Sequence, residues 1–252
     1  MRIIASDYDG TLNHGGVDDA KRNAVERWQK QGNLFVVVTG RDKQFCPEMQ
    51  EKSGIMFDYY LACNGALILN SRFEVLAQKQ CGQNVLQNLI AELFALGCEW
   101  ATVCADETVR IWSDTAVAKP RDGKTVADIG RFSYFNQVST ALPTFEESAR
   151  VAAVIASRFS GIVNPLQNGT CLDIVPAGMD KAKGIEDLLT LCGAMHEDVV
   201  TVGDNVNDLA MLKAYRSYAM ANGVSEVIQI ADATVESVTE LIELEMAATG
   251  AF

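Results

Sequence analysis

The chain opens with Met1-Arg-Ile-Ile-Ala-Ser-Asp-Tyr-Asp-Gly-Thr-Leu12, in which Ile3 to Ser6 is a short apolar run that predicts a buried strand. Because side chains alternate along a strand, we expect Asp7 and Asp9 to point to the same side at its carboxyl end. Gly10 then allows a sharp turn and a close approach of the backbone to a ligand. Two carboxylates about 4 Å apart repel by roughly 4 kcal/mol at an effective dielectric near 20, which favours a bound cation or a proton on one of them. For the stretch alone, an Asp-Gly turn without a ligand is the simpler alternative.

The composition is that of an acidic chain with a large apolar fraction. Its 252 residues are 48% hydrophobic and carry a formal net charge of −12. The length allows one large domain or two modest ones. The charge disfavours a nucleic-acid partner, since such proteins present a basic face. No apolar run approaches the roughly 18 residues of a membrane helix, and no signal peptide is visible. We therefore expect a cytoplasmic protein with no membrane partner and with reduced cysteines.

The two ends of the chain alternate apolar strands with amphipathic helices. A helix is predicted over 17–31 and a continuous apolar strand over 34–38, and the same alternation resumes in the last third of the chain. This order is typical of a parallel sheet. The middle of the chain instead repeats helix, strand, strand. We expect an α/β fold, with a Rossmann-like doubly wound parallel sheet core at 1–81 and 176–252 and an α+β cap domain inserted at 82–175.

The sequence also predicts local features of the middle segment. Residues 132–139 are predicted to form one strand, and residues 144–159 a helix with Thr144 as its N-cap. Asn168-Gly169 is a favoured two-residue turn and is predicted to join two antiparallel strands.

Polar clusters follow four of the predicted strands, namely Asp7/Asp9, Thr39, Asn64 and Asp204/Asp208. In a doubly wound sheet, ligands bind outside the carboxyl ends of the strands, so we expect these clusters to converge. Carboxylates are hard oxygen ligands suited to Mg²⁺, which binds through a few carboxylates plus a substrate phosphate.

Three motifs in this order resemble those of the haloacid dehalogenase superfamily: Asp7-Tyr-Asp-Gly-Thr11, Thr39-Gly-Arg41 and Gly203-Asp-Asn-Val-Asn-Asp208. The late inserted domain resembles the cap of the Cof-type sugar-phosphatase branch, which lies between the second and third motifs. The resemblance implies a Mg²⁺-dependent phosphatase, monomeric or homodimeric. Its substrate would be a small-molecule phosphate ester such as a sugar phosphate.

The resemblance also implies roles for individual residues. Asp7 would be the nucleophile that forms an aspartyl-phosphate, and Asp9 the general acid and base. Mg²⁺ would be held by Asp7, Asp9 (through its backbone carbonyl), Asp204 and Asp208. Thr39 would hydrogen-bond the transferring phosphoryl oxygens.

A lysine would complete the catalytic set. The family's lysine follows a glycine by three positions, which selects Lys181, with Lys183 as the runner-up. Substrate contacts are implied for Gly10, Gly40, Arg41, Asn64 and Asn207.

The chain departs from the family pattern at two places. Tyr8 stands where the family often has an aliphatic residue, and Glu236-Ser-Val238 stands where Asp-Gly-Val is common.

Two other functions are compatible with parts of this pattern. One rival is a phosphohexomutase of the same superfamily, which returns the phosphoryl group to the sugar. The other is a non-hydrolytic signalling module whose Asp7 merely accepts phosphate. In such modules the acidic pair precedes the acceptor strand, whereas here Asp9 follows Asp7.

Overall fold

A computed structural model of the chain describes residues 1–248. The strands are β1 (Ile3–Asp7), β2 (Leu34–Val38), β3 (Tyr59–Ala62), β4 (Leu67–Asn70), β5 (Val75–Gln78), β6 (Cys81–Gly82), β7 (Trp100–Cys104), β8 (Thr108–Trp112), β9 (Lys124–Thr125), β10 (Tyr134–Phe135), β11 (Gln137–Ala141), β12 (Val163–Asn168), β13 (Cys171–Pro176), β14 (Val199–Gly203), β15 (Arg216–Met220) and β16 (Ala233–Val235). The α-helices are α1 (Asp19–Lys30), α2 (Phe45–Ser53), α3 (Gln83–Ala95), α4 (Phe145–Arg158), α5 (Lys181–Cys192), α6 (Leu209–Ala214), α7 (Ser225–Ile230) and α8 (Val238–Ala248).

The chain divides into two compact units. Met1–Ala77 and the segment that begins at Lys181 form the first, and Gln78–Asp180 form the second. The sequence predicts the inserted segment at 82–175. The predicted core segment 176–252 includes residues 249–252, which lie outside the described part of the chain.

The first unit is built on a parallel sheet. Within residues 1–248 its eight strands follow the order β16-β15-β14-β1-β2-β3-β4-β5. The pairs from β16 to β3 are parallel, and β4 is antiparallel to β3. Because helices cover both faces of such a sheet, its strands are continuous apolar runs, and β1 is buried throughout. The strand order reverses at β1, which is the hallmark of the predicted doubly wound sheet and confirms the fold class.

The last helix is tied to the sheet through one buried carboxylate. Glu245 of α8 is fully buried and forms an ion pair with Arg2, at the start of β1. It also accepts a hydrogen bond of 2.6 Å from the Tyr218 hydroxyl and lies 2.7 Å from the guanidinium of Arg216. A buried carboxylate with several charge-assisted partners fixes the register of α8 on the sheet. No helix in the described residues is long and apolar enough to cross a membrane.

The second unit has helices on one face of a mostly antiparallel sheet. Within residues 1–248 its strands follow the order β12-β13-β11-β7-β8-β9. The β8–β9 pair is parallel, and the other neighbouring pairs in this order are antiparallel. The apolar residues of α3 and α4 share one core with inward-facing strand residues such as Val103, Ile111 and Val138. The side chains that alternate with these residues therefore lie on the other face of the sheet.

Two local predictions in this unit are corrected by the structure. The strand predicted over 132–139 is broken: β10 pairs with β6, whereas β11 joins the larger sheet. In the last hairpin Asn168 pairs with Cys171, so the two-residue turn is Gly169-Thr170 and not Asn168-Gly169. The reason is that Gly169 has a φ of +61°, the conformation that a tight turn requires. The N-cap at Thr144 forms as predicted, because its side chain accepts from the backbone N–H of Glu147.

The first turn of α5 lies directly against the loop after β3. A Cβ atom at Gly184 would stand 2.5 Å from the Cα of Gly65. Gly65 itself follows two residues in the left-handed conformation, Cys63 and Asn64, both with a φ of 51°. The close approach of the two glycines therefore sets the position from which Lys181 enters the core of the first unit.

We expect Gly184→Ala to destabilise the protein by about 1–3 kcal/mol, because the added methyl group has no space beside Gly65. Urea unfolding would measure the change. Gly130→Ala is the matched control, since a Cβ there meets open space. Equal unfolding midpoints for Gly184→Ala and Gly130→Ala would show that α5 does not depend on this contact.

Candidate functional site

Carboxylates from opposite ends of the chain meet at the carboxyl ends of β1 and β14. Asp7 is the last residue of β1, and Asp204 directly follows β14, its parallel neighbour. One carboxylate oxygen from each of Asp7, Asp204 and Asp208 lies within 4.8 Å of the others. These three residues could hold a metal ion, since they supply only hard oxygen donors.

Lys181 lies inside this cluster. Its side chain is fully buried, and its Nζ donates to Oδ1 of Asp7 at 2.6 Å and to Oδ1 of Asp208 at 2.5 Å. Lys183, the runner-up in sequence, instead pairs with Glu186 and Asp187 on the exposed side of α5. The geometry therefore favours Lys181 as the lysine of the site.

The cluster carries more negative than positive charge. Three carboxylates and one ammonium leave two formal negative charges when all the groups are ionised. Burial raises the pKa of the Asp7 carboxyl to about 8; Lys181 opposes this shift, and Asp208 and Asp204 add to it. Burial also lowers the pKa of Lys181, but its two carboxylate partners outweigh this effect and the pKa is raised. Lys181 thus stays charged, and an added cation would favour the ionised form of Asp7.

The loop after β1 is shaped around Asp204. Gly10 has a φ of +83°, and a Cβ there would stand 2.4 Å from Oδ2 of Asp204. Thr11 donates its hydroxyl to Oδ1 of Asp204 at 2.6 Å, and the Asn222 side chain donates to the carbonyl of Gly10 at 3.0 Å. Only a glycine at residue 10 leaves space for the Asp204 carboxylate where it lies.

Asp208 is held on both of its oxygens. Oδ1 accepts from Lys181, and Oδ2 accepts from the backbone N–H groups of Asp204 and Asn205 at 2.9 and 3.0 Å. A Cβ at Gly203 would stand 2.5 Å from Cγ of Asp208. The fully buried Asp208 therefore fixes both the lysine and the turn that carries Asp204.

Asp9 is not placed as strand alternation predicts. β1 ends at Asp7, and residues Tyr8–Leu12 form an irregular helical turn in which Asp9 has φ −81° and ψ 121°. Its carboxylate accepts two hydrogen bonds from Arg41, from Nε at 2.6 Å and from Nη2 at 2.7 Å. Hydrogen bonding to Asp9 raises the pKa of Arg41. The strand alternation expected from Asp7 to Asp9 is not formed, because β1 ends at Asp7, two residues before Asp9.

The remaining predicted residues lie on neighbouring loops. Thr39 follows β2 and is buried, and its hydroxyl accepts from the N–H of Arg41 at 3.1 Å. Asn64 is fully buried, and its backbone N–H donates to the carbonyl of Thr39 at 2.9 Å. Gly40 lies between Thr39 and Arg41.

Asn207 lies in the short helical turn before α6, and its buried Oδ1 has no hydrogen-bond partner in residues 1–248. The substrate contacts predicted for Gly40, Asn64 and Asn207 stay predictions.

Two further polar residues belong to this site. Thr11 and Asn222 hold Asp204 and the Gly10 carbonyl, and the sequence predicts no role for either. Thr11 lies within the first motif. Asn222 follows β15, next to β14, so a search for polar residues after every parallel strand would have found it.

A comparison of the sequence with known protein families gives one match over most of the chain. The sequence profile of the haloacid dehalogenase-like hydrolases matches residues 4–241. The chain belongs to this family. The resemblance in the three motifs is therefore confirmed.

Several known phosphatases resemble the chain over nearly its full length. A 5-amino-6-(5-phospho-D-ribitylamino)uracil phosphatase of Bacillus subtilis, YcsE, is 25% identical, covering 92% of this chain and 88% of the relative. Phosphoglycolate phosphatase 2 of Saccharolobus solfataricus is also 25% identical, covering 93% of this chain and 86% of the relative. These relatives support the prediction that the chain is an enzyme, a phosphatase of the haloacid dehalogenase-like family.

Solved structures show the same fold. The crystal structure of SMU.1108c from Streptococcus mutans UA159 superimposes with a TM-score of 0.83 at 19% identity, covering 98% of this chain and 99% of that chain. A haloacid dehalogenase-like hydrolase from Bacteroides thetaiotaomicron gives a TM-score of 0.77 at 22% identity, covering 97% and 99%.

We expect Lys181→Met to destabilise the protein by about 3–5 kcal/mol at pH 8, because it leaves buried carboxylates without their cation. The loss should be smaller at pH 5, since a carboxyl with a raised pKa takes up a proton as the pH falls. Urea unfolding at the two pH values would measure both effects.

Lys183→Met removes the same charge from an exposed position of the same helix and should leave the unfolding midpoint unchanged. A Lys181→Met midpoint equal to that of wild type at pH 8 would contradict the role of Lys181 in the cluster.

Proposed function

We propose that this chain is a Mg²⁺-dependent phosphatase that hydrolyses a small phosphorylated metabolite of the sugar-phosphate class through an aspartyl-phosphate on Asp7. The observation that carries the proposal is the convergence of Asp7, Asp204 and Asp208 around Lys181. The named relatives act on small phosphorylated metabolites, which supports the same substrate class here.

The carboxylate cluster fits a divalent cation. It offers hard oxygen donors within 4.8 Å of one another and, when all its groups are ionised, two excess negative charges. Asp7 and Asp204 would hold Mg²⁺, with Asp208 in support and the backbone carbonyl of Asp9 as a further ligand. The ion would supply positive charge that allows a carboxylate to approach a phosphate dianion.

Asp7 would act as the nucleophile. It ends β1, where its carboxylate has one oxygen on Lys181. The other oxygen would form a bond to phosphorus while the bond from phosphorus to the ester oxygen breaks. Water would then cleave the aspartyl-phosphate and release inorganic phosphate, so that two easier displacements replace one.

Cations and hydrogen-bond donors around Asp7 would stabilise the transferring group. Asp7 pairs with Val38 across β1 and β2. Thr39, the next residue, therefore lies beside the end of the strand that carries Asp7. Its hydroxyl would donate to a phosphoryl oxygen. Lys181 would balance the charge that gathers on the phosphoryl oxygens, since phosphoryl transfer is catalysed mainly by positioning and charge.

Asp9 would act as the general acid and base. It would give a proton to the leaving oxygen and later accept one from water. In this structure Arg41 occupies both of its oxygens, so at least one of these hydrogen bonds must be exchanged before Asp9 meets the leaving group. Arg41, predicted to contact substrate, would therefore also control the position of Asp9.

Two rival functions predict different products. A phosphohexomutase would form an isomeric sugar phosphate without releasing inorganic phosphate. A signalling module would keep the phosphoryl group on Asp7. A panel of phosphorylated metabolites with Mg²⁺ distinguishes a phosphatase from both rivals. Only a phosphatase releases inorganic phosphate in stoichiometric excess over the enzyme.

We expect Asp7→Asn to lower phosphate release by several orders of magnitude while the protein stays folded, because the amide is no longer a nucleophile. A colorimetric phosphate assay would measure the rate, and circular dichroism the fold. Asp19→Asn, an exposed substitution in the first turn of α1, is the matched control and should be fully active. Comparable rates for Asp7→Asn and Asp19→Asn would remove Asp7 from the nucleophile role.

We expect Mg²⁺ to raise the melting temperature of the wild type, because binding to the folded state alone stabilises it. Asp204→Asn should abolish most of this shift, whereas Asp19→Asn should keep it. Differential scanning fluorimetry with and without Mg²⁺ gives this answer without any turnover. A full Mg²⁺ shift in Asp204→Asn would place the ion elsewhere.

A further inference from the structure

A small cavity in the first unit lies next to Arg41. Its volume is about 60 Å³, and its lining includes Tyr8, Arg41 and, from α2, Phe45, Glu48, Met49 and Lys52. The four residues of α2 recur at three- and four-residue spacing, so they share one face of the helix. Since a water molecule needs roughly 10–15 Å³ of such space, the cavity admits a group of about four heavy atoms, which is the size of a guanidinium.

The Tyr8 hydroxyl has no hydrogen bond at this cavity. Tyr8 is only 3% exposed, and no hydrogen bond of its hydroxyl is found within residues 1–248. Burial raises the pKa of this hydroxyl, and Asp9 adds to the shift whereas Arg41 and Lys52 oppose it. These charges therefore lie close to the hydroxyl. A largely buried hydroxyl without a partner is costly, so this oxygen is available to accept a hydrogen bond from a donor that enters the cavity.

Glu48 offers a second unused acceptor at the same cavity. Its Oε1 pairs with Lys52 at 2.5 Å, whereas Oε2 has no hydrogen-bond partner in the described part of the chain. The Glu48 and Lys52 side chains are 46% and 69% exposed, so their pair does little to fix the carboxylate. Hydrogen bonding to Lys52 lowers the pKa of Glu48, and Arg41 also lowers it. Arg41 therefore lies within electrostatic reach of Glu48.

Arg41 lies over a ring from which it can turn toward Glu48. Its guanidinium carbon is 5.2 Å from the centroid of the Phe45 ring, while Nε and Nη2 donate to Asp9. The Arg41 and Asp9 side chains are 40% and 44% exposed, so this pair is weak enough to exchange. Phe45 and Glu48 stand three residues apart on one face of α2. A guanidinium that rotates over the Phe45 ring thus keeps its cation–π contact and meets Glu48.

We propose that Tyr8 and Glu48 are positioning residues that form a second site for the Arg41 guanidinium, an assignment that rests on the proposed function through the role of Asp9. When Arg41 moves from Asp9 into the cavity, Oε2 of Glu48 and the Tyr8 hydroxyl oxygen accept its hydrogen bonds. Asp9 is then released to meet the leaving group. The second site also gives a reason for the tyrosine at residue 8, because an aliphatic residue there supplies no acceptor.

A crystal structure of Asp9→Ala tests the second site without any turnover. The variant removes the carboxylate that Arg41 binds in the present structure. We therefore expect the guanidinium in the cavity, within hydrogen-bond distance of Oε2 of Glu48 and of the Tyr8 hydroxyl. A guanidinium that extends into solvent, or that pairs with a carboxylate other than Glu48, would overturn the proposal.

The leaving group distinguishes a positioning role from a structural one. p-Nitrophenolate leaves without a proton, whereas the alkoxide of a sugar phosphate needs one from Asp9. Glu48→Gln removes a charge-assisted hydrogen bond from the second site and so leaves Asp9 free in a smaller fraction of the molecules. We expect it to lower kcat/KM by about tenfold for the sugar phosphate that the wild type hydrolyses fastest, and by less than about twofold for p-nitrophenyl phosphate. Tyr8→Phe keeps the ring and should act in the same direction, by about threefold.

Two comparisons show whether these effects pass through Arg41. In an Arg41→Ala background, Glu48→Gln should cause no further loss, since no arginine remains to be moved from Asp9. Glu51→Gln removes the same charge from an exposed residue of α2 that has no ion pair within residues 1–248, and it should match the wild type.

The kinetic results overturn the proposal if Glu48→Gln leaves kcat/KM unchanged, lowers it equally for both substrates, or lowers it equally with and without Arg41. A wild type that releases no phosphate from any substrate would instead refute the proposed function. In that case the position of Arg41 in the Asp9→Ala crystal still decides whether the second site exists.

Discussion

The site depends on the ion pairs that the ammonium of Lys181 forms with two carboxylates. The ammonium lies fully buried between Asp7 and Asp208, which are 174 and 27 residues away in the chain. Taking such charges out of water is costly, and their attraction balances that cost only when the geometry and the remaining hydrogen bonds are good. Here they are good, because Asp208 also accepts two backbone N–H groups. The cluster nonetheless stays negative, and this excess charge is what would draw a divalent cation.

The backbone around the cluster is shaped to allow it. Gly184 seats the first turn of α5 on Gly65, which brings Lys181 to the carboxyl end of β1. Gly10 leaves space for Asp204, which Thr11 holds by a hydrogen bond. These contacts join the loops after β1, β3 and β14 to one helix. The position of Lys181 and of the clustered carboxylates is thus a property of the doubly wound sheet and of the few glycines that let its loops approach one another.

The sequence predicts most of this arrangement, and its failures have physical causes. The apolar run of β2 and the polar residues after four strands are visible because burial and strand ends leave strong local patterns. The hydrogen bonds between Asp9 and Arg41 leave no such pattern, since they depend on a turn that departs from strand geometry after Asp7. β16 is too short to stand out as a run. The cavity beside Arg41 depends on how α2 packs against the turn after β1, and that packing is set by the fold and not by either segment alone.

We propose that acidic groups from both ends of the chain bind one divalent ion beside a buried lysine. The anomalous signal of Mn²⁺ in crystals of the protein, used as a substitute for Mg²⁺, tests it most directly. We expect a single strong peak within bonding distance of the Asp7 and Asp204 carboxylates, with Lys181 still on Asp208. A peak bound to other residues, or an empty cluster at saturating Mn²⁺, would contradict the claim.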